Sequence, residues 1–236
     1  MTVRNQLPLE VSLAELRRLR TLHSKSGLHP HIRALLPKVL DEVVASKLLQ
    51  PAIAWDSRRL LETSGTRVRL EGGLVFEQAE AIVEMLSEAS ELVMAVGSIG
   101  PNLEQRAREW ASNGRQVEAF ILGEIGNLAI GKLSDYIPHS IREWALGRGF
   151  EISGALSPGG KDFDLAEQRL VVEIASARRI GVELTTACML LPIKSVSMVI
   201  GLGHGLPTWD RSQACDLCSS RDHCRLRSLD SEPAPA

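Results

Sequence analysis

A stretch near the middle of the chain, residues 116–134, carries apolar side chains almost all the way around a helix of 3.6-residue period. These apolar residues are Val117, Phe120, Ile121, Leu122, Ile125, Leu128 and Ile130. A helix that is apolar on nearly every side has to be covered by other elements, so the pattern predicts a helix in the middle of the fold. A further helix is predicted over residues 135–149, ending at a glycine.

Strands are predicted on both sides of this helical region. The apolar run 91–96 predicts a buried strand, and residues 195–202 predict another. Short strands are expected over 52–76 and near 180–186, whereas 153–164, rich in Gly, Ser and Pro, predict a loop. Because helices and strands mix without strict alternation, the predicted fold class is α+β with an antiparallel sheet.

The chain is predicted to form one domain over residues 1–229, followed by a disordered tail over 230–236. Its 236 residues can bury a substantial core, and 44% hydrophobic and 24% charged residues are typical of a globular protein. Residues 10–50 have helical periodicity, within which Pro37 predicts a kink or a helix restart.

Charge and hydropathy exclude two classes of partner. The net charge is −2, with both signs scattered along the chain, so no basic stripe favours nucleic acid. No apolar run approaches the roughly 20 residues that span a bilayer, and the first residues lack the apolar core of a secretory signal. We therefore expect a cytoplasmic protein without a membrane partner, whose thiols stay reduced.

All four cysteines lie in the last fifty residues, and their spacing predicts a metal site over 188–224. Cys215, Cys218 and Cys224 form C-x2-C-x5-C, and Cys188 lies upstream. Thiolates are the ligands that zinc and iron–sulfur clusters select. A [4Fe–4S] cluster is favoured over zinc, because structural zinc sites more often pair two C-x2-C knuckles.

The fourth ligand is the open part of this prediction. Cys188 is the first choice, although it lies in an apolar stretch where a free buried cysteine would be ordinary. His204 and His223 are the alternatives, and four unrelated thiols are the alternative to any metal site.

Several segments, read together, resemble one family. They are Ala95-Val96-Gly97-Ser98-Ile99-Gly100 with Glu104, the apolar helix from Ala119 to Ala129, Ser157-Pro158-Gly159, Ile180-Gly181-Val182-Glu183-Leu184-Thr185, and Pro192-x-Lys194-Ser195-Val196-Ser197. In order and spacing they resemble the reactivation domain of cobalamin-dependent methionine synthase, and most of all its free-standing relatives in anaerobes, which carry a C-terminal cysteine cluster. The resemblance covers residues 75–227.

The resemblance implies a C-shaped α+β domain with helices around a central twisted antiparallel sheet. It implies reductive reactivation or handling of a protein-bound corrinoid (cobalamin) in methyl transfer, as part of methionine biosynthesis. The partners would be a corrinoid-binding protein or methionine synthase core and an electron donor such as ferredoxin or flavodoxin, with the iron–sulfur cluster carrying the electron. The corrinoid-facing residues would be Pro192, Lys194, Ser195 and Ser197.

Two alternatives accompany this hypothesis, and whether the chain is itself an enzyme stays open. The chain would instead be a non-catalytic accessory subunit of a split methionine synthase with a structural zinc site, or a small-molecule-binding protein that retains only the fold.

The sequence departs from the resembled pattern where the family binds S-adenosylmethionine. An Arg, a Tyr, a Pro and a Glu of that pattern correspond here to Ala155, Gly160, Asp164 and Thr186. A sulfonium cation and a carboxylate need charged or polar partners, so we expect S-adenosylmethionine to bind weakly or not at all. Lys161 and Arg178 are the nearby residues able to compensate.

Overall fold

Helices and strands follow one another irregularly along the chain, in a computed structural model that describes residues 1–19, 23–24, 27–209 and 213. In chain order the elements are β1 (Thr2–Asn5), α1 (Leu13–Arg18), β2 (His23–Ser24), β3 (Gly27–Leu28), α2 (Pro30–Ala45), β4 (Ala52–Ser64), β5 (Arg67–Leu70), β6 (Val75–Phe76), α3 (Glu80–Leu86), β7 (Glu91–Ser98), α4 (Asn102–Ser112), α5 (Gln116–Leu146), β8 (Glu151–Leu156), α6 (Gln168–Ile174), β9 (Glu183–Leu184), β10 (Leu190–Leu191) and β11 (Ser195–Gly203). Short 3-10 turns cover Leu165–Glu167 and Ala177–Ile180.

Within the described residues, one antiparallel sheet of seven strands organises the fold. Its order is β6-β5-β4-β7-β11-β8, and β1 pairs with β4 on the side away from β7. β4 is 13 residues long, so its first half pairs with β1 and its second half with β5 along one edge. The predicted α+β class with an antiparallel sheet is confirmed.

Both faces of the sheet are buried, because side chains alternate between two apolar layers. On β7, Val93 and Ala95 face the layer formed with α1, α2, α4 and α5. Leu92, Met94 and Val96 face the opposite layer, formed with α3, α6 and β5. The apolar run predicted as a buried strand is thus covered on both sides.

The long helix α5 packs directly on the sheet, as its nearly continuous apolar surface predicts. A methyl group at Gly97 of β7 would lie 2.8 Å from Ile137 Cδ1 and 3.1 Å from Leu133 Cδ2. Glycine at this position therefore permits the close approach of helix and strand. At its ends the helix leaves apolar side chains in water, since Val117 and Phe120 in the first turns are 39% and 45% exposed and Leu146, the last residue, is 62% exposed.

Two predicted helix breaks do not occur. The helices expected over 116–134 and 135–149 are one helix that continues through Pro138. The buried face runs on through Ile137 and Ile141, and this packing outweighs the single hydrogen bond that a proline removes. In the same way α2 continues through Pro37, without the expected restart, because Leu36 and Val39 beside it are buried.

Other predicted boundaries also need correction. The first part of the loop expected over 153–164 belongs to strand β8, which pairs with β11. The strand expected near 180–186 is the two-residue β9, which forms a small hairpin with β10. Residues 10–50 contain α1 and α2 but also the short β2–β3 hairpin between them. The tail at 230–236 lies outside the described residues.

None of the helices in the described ranges combines the length and the apolarity needed to cross a membrane.

Candidate functional site

The predicted site residues Lys194, Ser195 and Ser197 lie at the beginning of β11, at one end of the sheet. The register places Asn5, Ala52, Ser98 and Ser195 in one row across β1, β4, β7 and β11. Ser195 Oγ donates a hydrogen bond to Ser98 Oγ at 2.9 Å, and Ser98 Oγ also accepts from the Gly100 N–H at 3.1 Å. We call this end of the sheet, with the residues bonded to it, the β11 entry site.

Lys194 joins this row to helices α4 and α5. Its main-chain N–H donates to Glu104 Oε1 at 2.7 Å, and its ammonium group donates to Asn127 Oδ1. The stem of Lys194 crosses α5 at Gly126, where an added methyl group would lie 3.3 Å from Lys194 Cε. Asn127 in turn donates to the buried Glu124 at 3.3 Å. The lysine is therefore held in one position by three elements.

A second chain of hydrogen bonds connects the site to Cys188. Ser197 Oγ donates to Gln168 Oε1 at 2.7 Å, and Gln168 Nε2 donates to the main-chain carbonyl of Cys188. Both polar side chains are almost fully buried, at 4% and 5% exposure. Their mutual bonds offset the cost of removing them from water. The structure thus brings Cys188 and Ser197, predicted as metal ligand and corrinoid-facing residue, close together.

The loop that carries Cys188 is tightly bonded. Cys188 has a φ of 61°, in the left-handed region that non-glycine residues seldom adopt. Its N–H donates to the Thr185 carbonyl at 3.0 Å, and the Met189 N–H donates to Thr185 Oγ1 at 3.0 Å. Cys188 is 6% exposed, and Pro192 follows across a cis peptide bond from Leu191.

The outer rim of the β11 entry site is apolar and exposed. Met189, Leu191 and Ile193 alternate along the segment that leads into β11, with exposures of 54%, 45% and 62%. Phe120 lies two turns before Asn127 on the same side of α5 and is 45% exposed. Large apolar side chains left in water next to a rigid polar site are typical of a binding surface.

The hydroxyl groups of Ser195 and Ser197 bond to neutral partners within the described residues. The partner of Ser195 is another hydroxyl, and the partner of Ser197 is an amide. Activation of a serine requires a general base within hydrogen-bond distance, and these contacts provide none. The arrangement suits positioning and recognition.

The four positions that depart from the resembled S-adenosylmethionine pattern are not gathered in one cavity. Ala155 lines a groove of about 670 Å³ between β8 and α5, whereas Gly160 and Asp164 line a separate pocket of about 390 Å³. Asp164 caps the following 3-10 turn, accepting from the Ala166 N–H at 2.7 Å. The Thr186 carbonyl accepts from Arg169 at 3.0 Å.

Most of the predicted metal site cannot be placed. Cys215, Cys218 and Cys224, as well as His223, lie outside the described residues. Across residues 1–19, 23–24, 27–209 and 213, no group of three or more His, Cys, Asp or Glu side chains is arranged to hold a metal ion. The metal ligands therefore stay a prediction.

His204 and Cys188 are at opposite ends of β11. Cys188 is bonded through Gln168 to Ser197, whereas His204 follows the last residue of the strand and stacks on Phe150 at 6.0 Å between ring centroids. Ser197 and His204 are seven residue steps apart along the extended chain, which corresponds to about 23 Å. The two side chains are thus mutually exclusive as ligands of one centre.

Gln168 is the site residue that sequence reasoning missed. It precedes Val171 and Ile174 on the buried face of α6, with the i, i+3, i+6 spacing of one helix side. A polar residue at a position where the pattern calls for an apolar one was the available signal. Asn127, within the apolar surface of α5, was missed for the same reason.

Comparison with known proteins bears on the fold. No protein-family model matches the chain, and no curated protein sequence matches it. Among solved structures, the MetH reactivation domain bound to AdoHcy is similar, with a TM-score of 0.56 and 13% sequence identity over 89% of this chain and 81% of that chain. At such low identity the likeness establishes a shared α+β fold and no more.

Proposed function

We propose that this protein reactivates or handles a corrinoid carried by a partner protein in methyl transfer, and that it docks on the partner through the β11 entry site. The observation that carries the proposal is the coincidence of two independent features. The fold is similar to that of the MetH reactivation domain. The segment that resembles the same family, Pro192 to Ser197, includes the exposed Ile193 and becomes fully buried only at Ser197.

The physical case for docking rests on the pairing of a rigid polar centre with an apolar rim. Protein interfaces have an apolar core whose few polar groups are fixed before binding. Lys194 is held by Asn127 and Glu104, so little side-chain freedom remains to be lost on association. Leu191 and Ile193 supply apolar area that becomes buried.

The test is association with a Co(II) corrinoid protein under anaerobic conditions, followed by the cobalt absorption spectrum. Ile193→Asp should weaken association by about tenfold or more, because it places a charge in the buried interface. Leu146→Asp is the matched control, since Leu146 has the same 62% exposure at the far end of α5. Equal association of the two variants, or no association of the unaltered protein, would contradict the proposal.

The redox part of the proposal is a [4Fe–4S] cluster on Cys215, Cys218, Cys224 and Cys188, with structural zinc as the alternative. Cys188 forms no disulfide within the described residues, so its thiol is available as a ligand. When bound, a cluster would supply one-electron transfer.

Metal analysis after anaerobic purification tests this part. Replacement of both Cys215 and Cys218 by Ser should abolish bound iron, sulfide and zinc, and Cys188→Ser should lower them. His204→Asn is the control and should change nothing, since His204 and Cys188 lie at opposite ends of β11. Stoichiometric metal in the double variant would rule out the cysteine site.

We also propose that S-adenosylmethionine binds weakly or not at all. In the resembled pattern an Arg stands at the position of Ala155, and loss of such a charge-assisted contact costs about 1.5–3 kcal/mol, or one to two decades of affinity. The separation of Ala155 from Gly160 into two cavities supports the same conclusion. Isothermal calorimetry would contradict it by returning a dissociation constant in the low micromolar range.

A further inference from the structure

A groove of about 1130 Å³ opens beside the β11 entry site. It lies between the end of β1, the second half of α2, the segment 47–52 and the turn at 179–181. Gly100, which bonds to Ser98 in the site, also lines the groove, and an added methyl group there would lie 2.9 Å from Gln50 Cβ. The groove and the site are therefore continuous. We call it the β1 groove.

The size and lining of the β1 groove favour a ligand larger than a metabolite. Small-molecule sites have volumes of about 300–1,000 Å³, which this groove exceeds. Its floor is apolar and includes Leu7, Val11 and Val43. Such a floor accepts the apolar side chains of a polypeptide.

Three side-chain amides line the same groove and are unused. Asn5, Gln6 and Gln50 make no side-chain hydrogen bond in the described part of the chain. A carboxamide presents one acceptor and two donor hydrogens, the groups that a peptide main chain also presents. Gln6 and Lys47, both at the groove, adopt left-handed φ values of 55° and 47° without being glycine, a conformation often retained for function.

The edge of the sheet next to the groove also favours an extended peptide. Of the described strands, β1 pairs with β4 alone, so its other edge carries main-chain N–H and C=O groups without a strand partner. An extended peptide satisfies such an edge by adding a strand. Asn5, the last residue of β1, also lines the groove. A peptide paired with β1 would therefore continue into the groove.

We propose that β1 and the β1 groove bind an extended peptide segment of the corrinoid-carrying partner. The groove recognises this segment mainly through the segment's main-chain N–H and C=O groups. The rim carries charges of both signs, Arg179 and Lys47 together with Glu10 and Asp41, and none of these four side chains makes an ion pair within the described ranges. Such a rim suits a segment flanked by residues of both signs, with an acidic residue opposite Arg179. The identity of the segment's source rests on the proposed function. The preference for an extended peptide does not.

The experiment selects binders from a random 12-residue peptide library displayed on phage, using the full chain as bait. Selected peptides should bind Arg179→Glu at least about tenfold more weakly than the unaltered protein, a change of about 1.4 kcal/mol. Arg178→Glu is the matched control, because Arg178 is the exposed neighbour in the same turn and does not line the groove. N-methylation at alternate peptide residues should abolish binding, since it removes main-chain donors.

Failure to select a peptide, equal affinity for the two arginine variants, or tolerance of N-methylation would each overturn the inference. The corrinoid protein is absent from these measurements, so their failure is distinct from failure of the docking test with Ile193→Asp. In a second arm, a selected peptide should compete with the corrinoid protein for the chain. Full association of the corrinoid protein in the presence of saturating peptide would overturn the assigned source.

Discussion

The two ends of β7 are built in opposite ways. At Glu91, the first residue, Arg148 donates two hydrogen bonds to the carboxylate at 2.6 and 3.0 Å, and Ser57 donates a third at 2.7 Å. The Arg148 guanidinium also lies 4.7 Å from the ring centroid of Trp144. At Ser98, the last residue, the bonds are between neutral groups, and exposed apolar side chains surround them.

This difference indicates that stability and recognition are separated between the two ends of one sheet. Charge-assisted bidentate bonds are stronger than neutral ones, and they stabilise the Glu91 end. The bonds of Ser98 itself are weaker because they join neutral groups, and apolar area near it is left unburied. This combination costs stability but leaves free energy available for binding. The following variants test whether stability and recognition are separated in this way.

The largest effect on stability is expected for Arg148→Ala. The change removes both bonds to Glu91 and the contact with Trp144, so we expect a loss of about 2–3 kcal/mol in the free energy of unfolding. Urea denaturation measures it. Arg142→Ala, an exposed change on α5, should alter stability by less than about 0.5 kcal/mol. An unchanged urea midpoint for Arg148→Ala would contradict the proposed difference in stability between the Glu91 and Ser98 ends of β7.

A smaller loss is expected for Gln168→Ala at the other end. The change leaves the Ser197 hydroxyl and the Cys188 carbonyl without their partner, which should cost about 1–2 kcal/mol. The exposed Gln105→Ala on α4 is the control. If Gln168→Ala were more destabilising than Arg148→Ala under the same conditions, the Ser98 end would be the better stabilised one.

The smallest effect is the part of the acid dependence of stability that Glu91 contributes. Hydrogen bonds from Arg148 hold the pKa of the Glu91 carboxyl below its ordinary value, against the opposing effect of burial. A lowered folded-state pKa contributes stability that is present above the unfolded value of about 4.3 and lost as the pH falls through the folded value. Glu91→Gln should therefore flatten the dependence of stability on pH between about 5 and 3. Parallel curves for the two proteins would show that Glu91 contributes nothing.

Strand positions were predictable where periodicity and burial agree. Val93 and Met94 belong to a run that is apolar on both faces, and such a run has no stable place except inside a covered sheet. Ser195 and Ser197 were predictable as a group because they are neighbours in one strand and in one resembled segment.

The placement of β8 and of Gln168 depended on contacts between distant parts of the chain. Strand β8 contains Ser153 and Gly154, residues typical of loops, yet Ser153 Oγ accepts from the Gly201 N–H of β11 at 2.8 Å. Gln168 meets Ser197 only because α6 packs across the sheet. Local propensity carries no information about such pairings, so β8 and Gln168 could not be placed before the fold was known.

The indole of Trp209 has a consequence for how the molecule behaves in solution. Trp209 covers Gly154 so closely that an added methyl group would lie 2.0 Å from its ring, and the Gly154 N–H donates to the Pro207 carbonyl at 3.2 Å. Residues 207–209 thereby cap the outermost strand of the sheet, which would otherwise be a template for self-association. A chain cut before Pro207 would keep its core but expose that strand, and it should aggregate through edge-to-edge pairing long before it loses its fold.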